Sequence, residues 1–203
     1  MTMEIRKLRP EDDLGRAAEI LFQADPYIMP DLFCDQKTAG LVGGCLFSED
    51  PEQLFCFDRT LVAVQDGVIQ GILCYRTGTC RWDEQILRDA CVRKGCALPA
   101  EFERVNREYF DKVANAELPP NSAECMFLAV DSAVRGKSIG KALLSHWIRS
   151  KEGTFYLDVL ESNGRALHLY NRLRFKQKEQ HCAYPAILSM KCHTMVLSKR
   201  VEN

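Results

Sequence analysis

The sequence predicts an α+β fold: a central mixed, twisted β-sheet of about seven strands flanked by helices. Three observations predict it. T-L-V-A-V-Q-D-G-V-I-Q-G-I-L-C-Y-R (60–76) places two β-branched runs around Asp66-Gly67, a pair suited to the positive φ of a tight hairpin turn. Segments of helical period alternate with strand-like runs along the chain. A buried-type strand, C-M-F-L-A-V, leads through a short basic, glycine-containing loop into an amphipathic helix.

Residues 3–9 alternate as a short strand. Pro10 fits the first position of a helix followed by three acids, and Leu14, Ala17, Ala18, Leu21 and Phe22 give it an apolar face. D-P-Y-I-M-P-D then breaks the helix with two prolines, and a second helix is expected over about 37–48, weakened by Gly43-Gly44. Beyond the hairpin, Trp82, Ile86, Leu87, Ala90 and Cys91 mark one helix. Pro99 opens another, with Phe102, Val105, Tyr109 and Val113 on its face. L-P-P-N-S closes this helical section of about 78–121. Ile139, Leu143, Trp147 and Ile148 line the inner side of the helix after the basic loop. T-F-Y-L-D-V-L reads as a strand, R-A-L-H-L-Y-N-R-L as a helix, and 175–199 as two more strands. No internal repeat or low-complexity linker divides residues 1–203, so a single domain is expected.

Composition narrows the function classes. Apolar residues make up 46% and charged residues 27% of the 203, as in ordinary globular proteins, and a net charge of −1 gives no footprint for nucleic acid or an anionic membrane. No apolar run approaches the ~20 residues of a membrane span, and the N-terminal residues do not read as a secretory signal. A cytoplasmic protein is expected. The ten cysteines contain no C-x-x-C pair and the four histidines no H-x-x-x-H, so neither a metal site nor a disulfide framework is expected. Most cysteines lie among apolar neighbours and read as small buried hydrophobes.

V-R-G-K-S-I-G-K-A-L-L (134–144) carries most of the functional information. The first N–H groups of a helix lack internal partners and favour an anion. Gly136 and Gly140 let the backbone approach closely, while Arg135, Lys137 and Lys141 add positive charge. From these residues alone, a basic turn that merely starts a helix reads much the same.

F-L-A-V-D-S-A-V-R-G-K-S-I-G-K-A-L-L resembles the acetyl-CoA-binding segment of the GNAT N-acetyltransferase superfamily, Arg/Gln-x-x-Gly-x-Gly/Ala, here Arg135-x-x-Ser138-x-Gly140. Further on, L-D-V-L-E-S-N-G-R-A-L-H-L-Y-N-R-L-R-F is similar to the family's next segment, with Asn163, Ala166 and Tyr170 on its Asn-x-x-Ala-x-x-x-Tyr positions. The resemblance implies a cleft between two splayed parallel strands that binds acetyl-CoA as cosubstrate. It implies direct attack by a primary amine, through a tetrahedral intermediate and without an acetyl-enzyme or a metal. Backbone groups of Leu128, Ala129 and Val130 would hold the pantetheine arm. One N–H there would polarise the thioester carbonyl, a contribution of about 3 kcal/mol per donor. Arg135, Gly136, Lys137, Ser138, Ile139, Gly140 and Lys141 would hold the pyrophosphate, and Asn163 would contact the cofactor or set the splay.

By the same resemblance Tyr170 would protonate the departing thiolate; as a residue it also fits a core tyrosine with its polar tip at an edge. Glu124 matches the position of a carboxylate base in histone-acetyltransferase relatives, with Glu161 at the next strand's end as a second candidate; either could instead attract a cationic acceptor without taking its proton, and either also reads as a solvated strand-end acid. Asp25, Tyr27 and Asp31 would meet a cationic acceptor, although Asp31 alone fits a helix cap. The implied function is N-acetylation, of a small molecule first and of a protein or peptide second; a non-catalytic acyl-CoA-binding module is the alternative. A homodimer is left open. Two departures from the pattern carry expectations of their own. Ser138 replaces the usual glycine, which strain-free helix entry with negative φ would permit. Arg174 stands where glycine usually ends the helix in the left-handed region; there it carries a strain of about 1–2 kcal/mol, unless the helix ends differently or Asn171 takes over the turn.

Overall fold

The computed structural model describes residues 3–182 and 191–199. Among them, seven strands form one sheet: β1 (Glu4–Lys7), β2 (Thr60–Gln65), β3 (Val68–Arg76), β4 (Ser122–Val130), β5 (Gly153–Leu160), β6 (Lys176–Cys182) and β7 (Lys191–Lys199). Their order is β1-β2-β3-β4-β5-β7-β6. Every neighbouring pair is antiparallel except β4 and β5, which run parallel through a crossover helix, α7 in chain order (Ile139–Arg149). The sheet is therefore mixed, as the alternating pattern predicted. The hairpin turns at Asp66 (φ 53°) and Gly67 (φ 78°), the two consecutive positive φ values that favour Asp-Gly.

The first helices depart from the sequence expectation. Helix α1 (Leu14–Leu21) starts at Leu14 and not at Pro10, because Asp13 caps it by accepting from Arg16 N. Asp12 is drawn away to Arg6, whose Nη1 and Nη2 each lie 2.7 Å from its oxygens. After a 3-10 turn (Phe22–Ala24), α2 (Ile28–Phe33) runs through Pro30, which a reading of the two prolines as breakers did not foresee. Pro30 lies in the first turn, where a missing N–H breaks no helical bond. Helix α3 (Gln36–Val42) ends where Gly43-Gly44 begin a 3-10 turn.

The helical section contains α4 (Gln85–Lys94), α5 (Phe102–Val105), a π-turn (Asn106–Phe110) and α6 (Asp111–Asn115). Its Trp82 and Phe110 join Phe55, from the chain before β2, on the sheet face that carries Phe127; Trp82 stacks on Phe110 at 4.4 Å. The opposite face holds α7 and α8 (Gly164–Arg172), with Leu143, Leu144, Trp147, Phe155 and Phe175 buried. Gly71 in β3 lets α7 approach: a Cβ there would lie 3.0 Å from Ile139 and 3.1 Å from Leu143. Of the described cysteines, Cys56, Cys74, Cys91, Cys125 and Cys192 are buried, whereas Cys34 is exposed. Among the described residues no helix is long and apolar enough to cross a membrane.

Candidate functional site: the cleft between β4 and β5

Strands β4 and β5 are paired from Ser122↔Thr154 to Cys125↔Leu157, and there the pairing stops, although β4 continues to Val130 and β5 to Leu160. A β-bulge lies at the same point. Cys74 pairs with Phe127 and Tyr75 with Cys125, so Met126 is the extra residue. The bulge turns Cys125 to the α7 face and Phe127 to the opposite face. Beyond it, antiparallel alternation directs Ala129 towards β3 and the N–H and C=O groups of Leu128 and Val130 away from β3, into the gap. The gap opens into a cavity of about 800 Å³ lined by both strands, the 3-10 turn with the residues after it, the basic loop and α8.

The basic loop closes one end. Gly136 has φ 88°, which favours glycine, and Ile139, Gly140 and Lys141 supply the first N–H groups of α7. Ser138 corrects an expectation: it caps α7 with φ 62°, in the left-handed region, and its side chain makes no capping bond. The chain must reverse there to enter the helix, so serine occupies a glycine conformation under strain. Arg135 Nε donates to Val130 O at 3.1 Å and its Nη2 to Gln23 Oε1 at 3.1 Å, tying the loop to β4 and to the 3-10 turn. Arg135, Gly136, Ser138, Ile139, Gly140 and Lys141 all line the cavity; Lys137 is exposed and outside its lining.

Asn163 caps α8, its Oδ1 accepting from Ala166 N at 3.1 Å, and also lines the cavity. Tyr170 lies near the far end of α8, 8% exposed, and lines the cavity with Cys125, Leu157 and Cys192. Burial is the main cause that pushes its phenol well above the ordinary tyrosine range. The end of α8 fixes it in place. Phe175 N donates to Tyr170 O and Arg174 N to Asn171 O, both at 3.0 Å; of the endings the sequence left open, the strained one is found, with Arg174 at φ 69°.

The carboxylates separate into two groups. Asp25 lines the cavity with Tyr27, its Oδ1 accepting from Tyr27 N at 2.7 Å and Ile28 N at 2.8 Å. Desolvation raises its pKa, against the lowering effect of those two bonds. Glu124, Asp31 and Glu161 lie outside the lining formed by the described residues. Glu124 belongs to the paired part of β4, where its Oε2 is 2.6 Å from both Nε and Nη2 of buried Arg76. Asp31 sits inside α2 and pairs with Arg104 at 3.4 Å, and Glu161 lies 4.0 Å from His193 Nε2.

Several lining residues escaped sequence reasoning. Arg165, His168, Leu169 and Arg172 face the cavity along α8, a helical spacing that a search for a second basic stripe would have found. Tyr109 reaches the cavity from the π-turn, Asp158 from β5 just past the last pair, and Cys192 from β7. For these three only the fold makes the connection. Among the described residues no group of His, Cys, Asp and Glu could hold a metal ion.

Comparison with solved structures places this architecture among acetyltransferases. An N-acetyltransferase from Staphylococcus aureus Mu50 superposes with a TM-score of 0.64 at 17% identity, covering 96% of this chain and 100% of that one. The ribosomal-protein-S18-alanine N-acetyltransferase from Escherichia coli gives 0.57 at 19% identity, over 100% and 98%. A chain of the NatC complex bound to Gag peptide and CoA gives 0.56 at 14% identity, over 98% and 99%. No curated protein matches. The sequence profile of the Acetyltransferase (GNAT) family matches residues 16–175, which include the splayed strands, the basic loop and α8, and the chain belongs to that family.

Proposed function

We propose that the protein moves the acetyl group of acetyl-CoA to the primary amine of a small molecule by direct attack. The observation that carries this reading is the coincidence, at one point of the sheet, of the last β4–β5 pair, the Met126 bulge and buried Tyr170. The residues present fit acetyl-CoA. Leu128 and Val130 present backbone groups in the gap for the pantetheine amides, and the N-terminus of α7 with Arg135 and Lys141 suits a pyrophosphate. Arg165 and Arg172 extend the positive lining along α8.

A backbone N–H beyond the bulge polarises the thioester carbonyl, which makes its carbon electrophilic. The neutral amine adds to that carbon. As the C–S bond breaks, Tyr170 gives its proton to the departing thiolate; the burial that raises its pKa keeps the phenol protonated across the neutral range. The nitrogen's surplus proton restores the phenol. Asp25 and Tyr27, which line the cavity from the segment before α2, meet the acceptor. Glu124, held by Arg76 outside the described lining, serves as a fixed negative charge.

The test follows free CoA while the pure protein is incubated with acetyl-CoA and a panel of small amines and peptides. Release with small amines supports the proposal. A second reading, acetylation of a peptide or protein amine, draws on the two similar structures whose names specify a ribosomal-protein alanine and a Gag peptide, and release with peptides alone would favour it. Tight acetyl-CoA binding without CoA release from any acceptor would mark a binding module.

A further inference from the structure

We infer that Asp25, rather than Glu124, is the group that takes the proton from the incoming ammonium. The inference rests on the acetyl transfer proposed above and assigns a step that reading leaves open. A base must reach the acceptor nitrogen. Asp25 lines the cavity, whereas Glu124 lies outside its described lining, on a paired stretch of β4. A base must also be able to hold a proton. Glu124 has two guanidinium nitrogens at 2.6 Å on one oxygen, an arrangement that favours the carboxylate over the acid.

Asp25 has the opposite surroundings. It follows the 3-10 turn Phe22–Ala24, which rests on β4, and precedes α2 with an extended backbone, φ −139° and ψ 122°. Both backbone donors, Tyr27 N and Ile28 N, bind the same oxygen, Oδ1, so Oδ2 lies outside those two bonds. The carboxyl is thus oriented through one oxygen, and the proposal assigns the other, Oδ2, to the acceptor. The titratable groups that its charge reaches are acidic or neutral. Asp31 comes from α2, the Tyr109 phenol from the π-turn, and Cys192 from β7. Asp158 on β5 bears in turn on Tyr109 and Cys192. Burial pushes the Cys192 thiol up to about 12, so it stays uncharged at neutral pH. Desolvation is what raises the Asp25 carboxyl, against the lowering effect of its two backbone bonds, so it takes a proton more readily than an exposed aspartate.

Cys192 lines the cavity together with the two proton-handling groups, Asp25 for the incoming ammonium and Tyr170 for the departing thiolate. The protons balance. The ammonium gives one to Asp25, which releases it to solvent. The nitrogen gives a second after attack, while Tyr170 delivers one to the thiolate and recovers one. The net products are an amide, CoA thiol and one proton.

The experiment compares wild type, Asp25→Asn and Glu124→Gln on an amine that the wild type acetylates, measuring kcat/KM against pH and acetyl-CoA affinity. The amide oxygen that Asp25→Asn introduces can still accept from Tyr27 N and Ile28 N, so the start of α2 is preserved. Asp25→Asn is expected to lower kcat/KM about 10²–10⁴-fold and abolish its fall at acid pH, with acetyl-CoA affinity retained. Glu124→Gln keeps that acid limb. An aromatic or alkoxy amine, already neutral at the assay pH, should be acetylated by Asp25→Asn at a rate near that of wild type. The proposal is overturned if Asp25→Asn keeps the acid limb, or if it loses equally on charged and neutral amines. Failure of the wild type to release CoA with any acceptor contradicts the acetyl-transfer reading itself.

Discussion

Cys125 and Leu157 are the last facing pair between β4 and β5, and the residue that follows Cys125, Met126, is the bulge that reverses the facing of β4. Pairing ends and the strand re-aims at one position. The separation leaves the polar backbone groups of Leu128 and the N–H of Val130 without a neighbouring strand, and such groups call for partners; the Val130 carbonyl already accepts from Arg135. An extended ligand with its own amides meets that requirement. The cleft is thus a consequence of register as well as of side chains.

Tyr170→Phe keeps the ring that packs 6.1 Å from Phe175 and removes only the hydroxyl. It is expected to lower kcat about 10²–10⁴-fold while leaving acetyl-CoA affinity nearly unchanged. Steady-state kinetics and calorimetric titration separate the two quantities. Unchanged kcat would remove Tyr170 from the proton inventory.

Arg174, exposed and at φ 69°, is the simplest test of backbone strain. Arg174→Gly should raise stability by about 1 kcal/mol, equivalent to roughly 2–4 °C in Tm for a chain of this size. Ser138→Gly should give a similar gain, since its φ is 62° and its side chain caps nothing. Thermal unfolding of both variants checks this.

Arg76 is 3% exposed and binds Glu124, Gly78 O at 3.1 Å and Ala116 O at 2.5 Å. It therefore fastens β3 and β4 to the end of α6. Arg76→Ala removes the buried guanidinium that binds Glu124 and two carbonyls, and should cost about 3–5 kcal/mol in urea unfolding. A loss below about 1 kcal/mol would show the pair to be a surface feature.

Two aspartates should respond to pH in opposite senses. The Arg6 guanidinium holds Asp12 below the ordinary carboxylate range, so its contribution is present above the unfolded pKa and is lost as pH falls through the folded one. Asp25 is raised by desolvation, so its charged form opposes folding at neutral pH, and acidification through its folded pKa relieves that cost. Asp25→Asn should therefore melt above wild type at pH 7, with the gap closing in acid, whereas Asp12→Asn should melt below it at pH 7. Melting curves over a pH series read both.

Much of this architecture was legible in local sequence because its signals are local: the Asp66-Gly67 hairpin, the period of α7 and α8, the glycines of the basic loop. The Arg76–Glu124 pair was not, since its members are 48 positions apart and Glu124 alone looks like a solvated strand end. The π-turn that brings Tyr109 to the cavity leaves no periodic mark, because a single widened turn shifts the helical phase by about one residue. Ser138 misled for a different reason. Serine tolerates many conformations, so its presence suggested an unstrained helix entry, while the reversal after β4 demanded a left-handed one.

The most direct test of the central claim follows free CoA with pure protein, acetyl-CoA and the amine panel, alongside the same reaction with Tyr170→Phe. The account predicts that CoA release depends on a primary amine, yields one acetylated amine per CoA, and falls steeply in the variant while acetyl-CoA still binds. A wild type that binds no acetyl-CoA, or that releases CoA at the same rate without an amine, would contradict it.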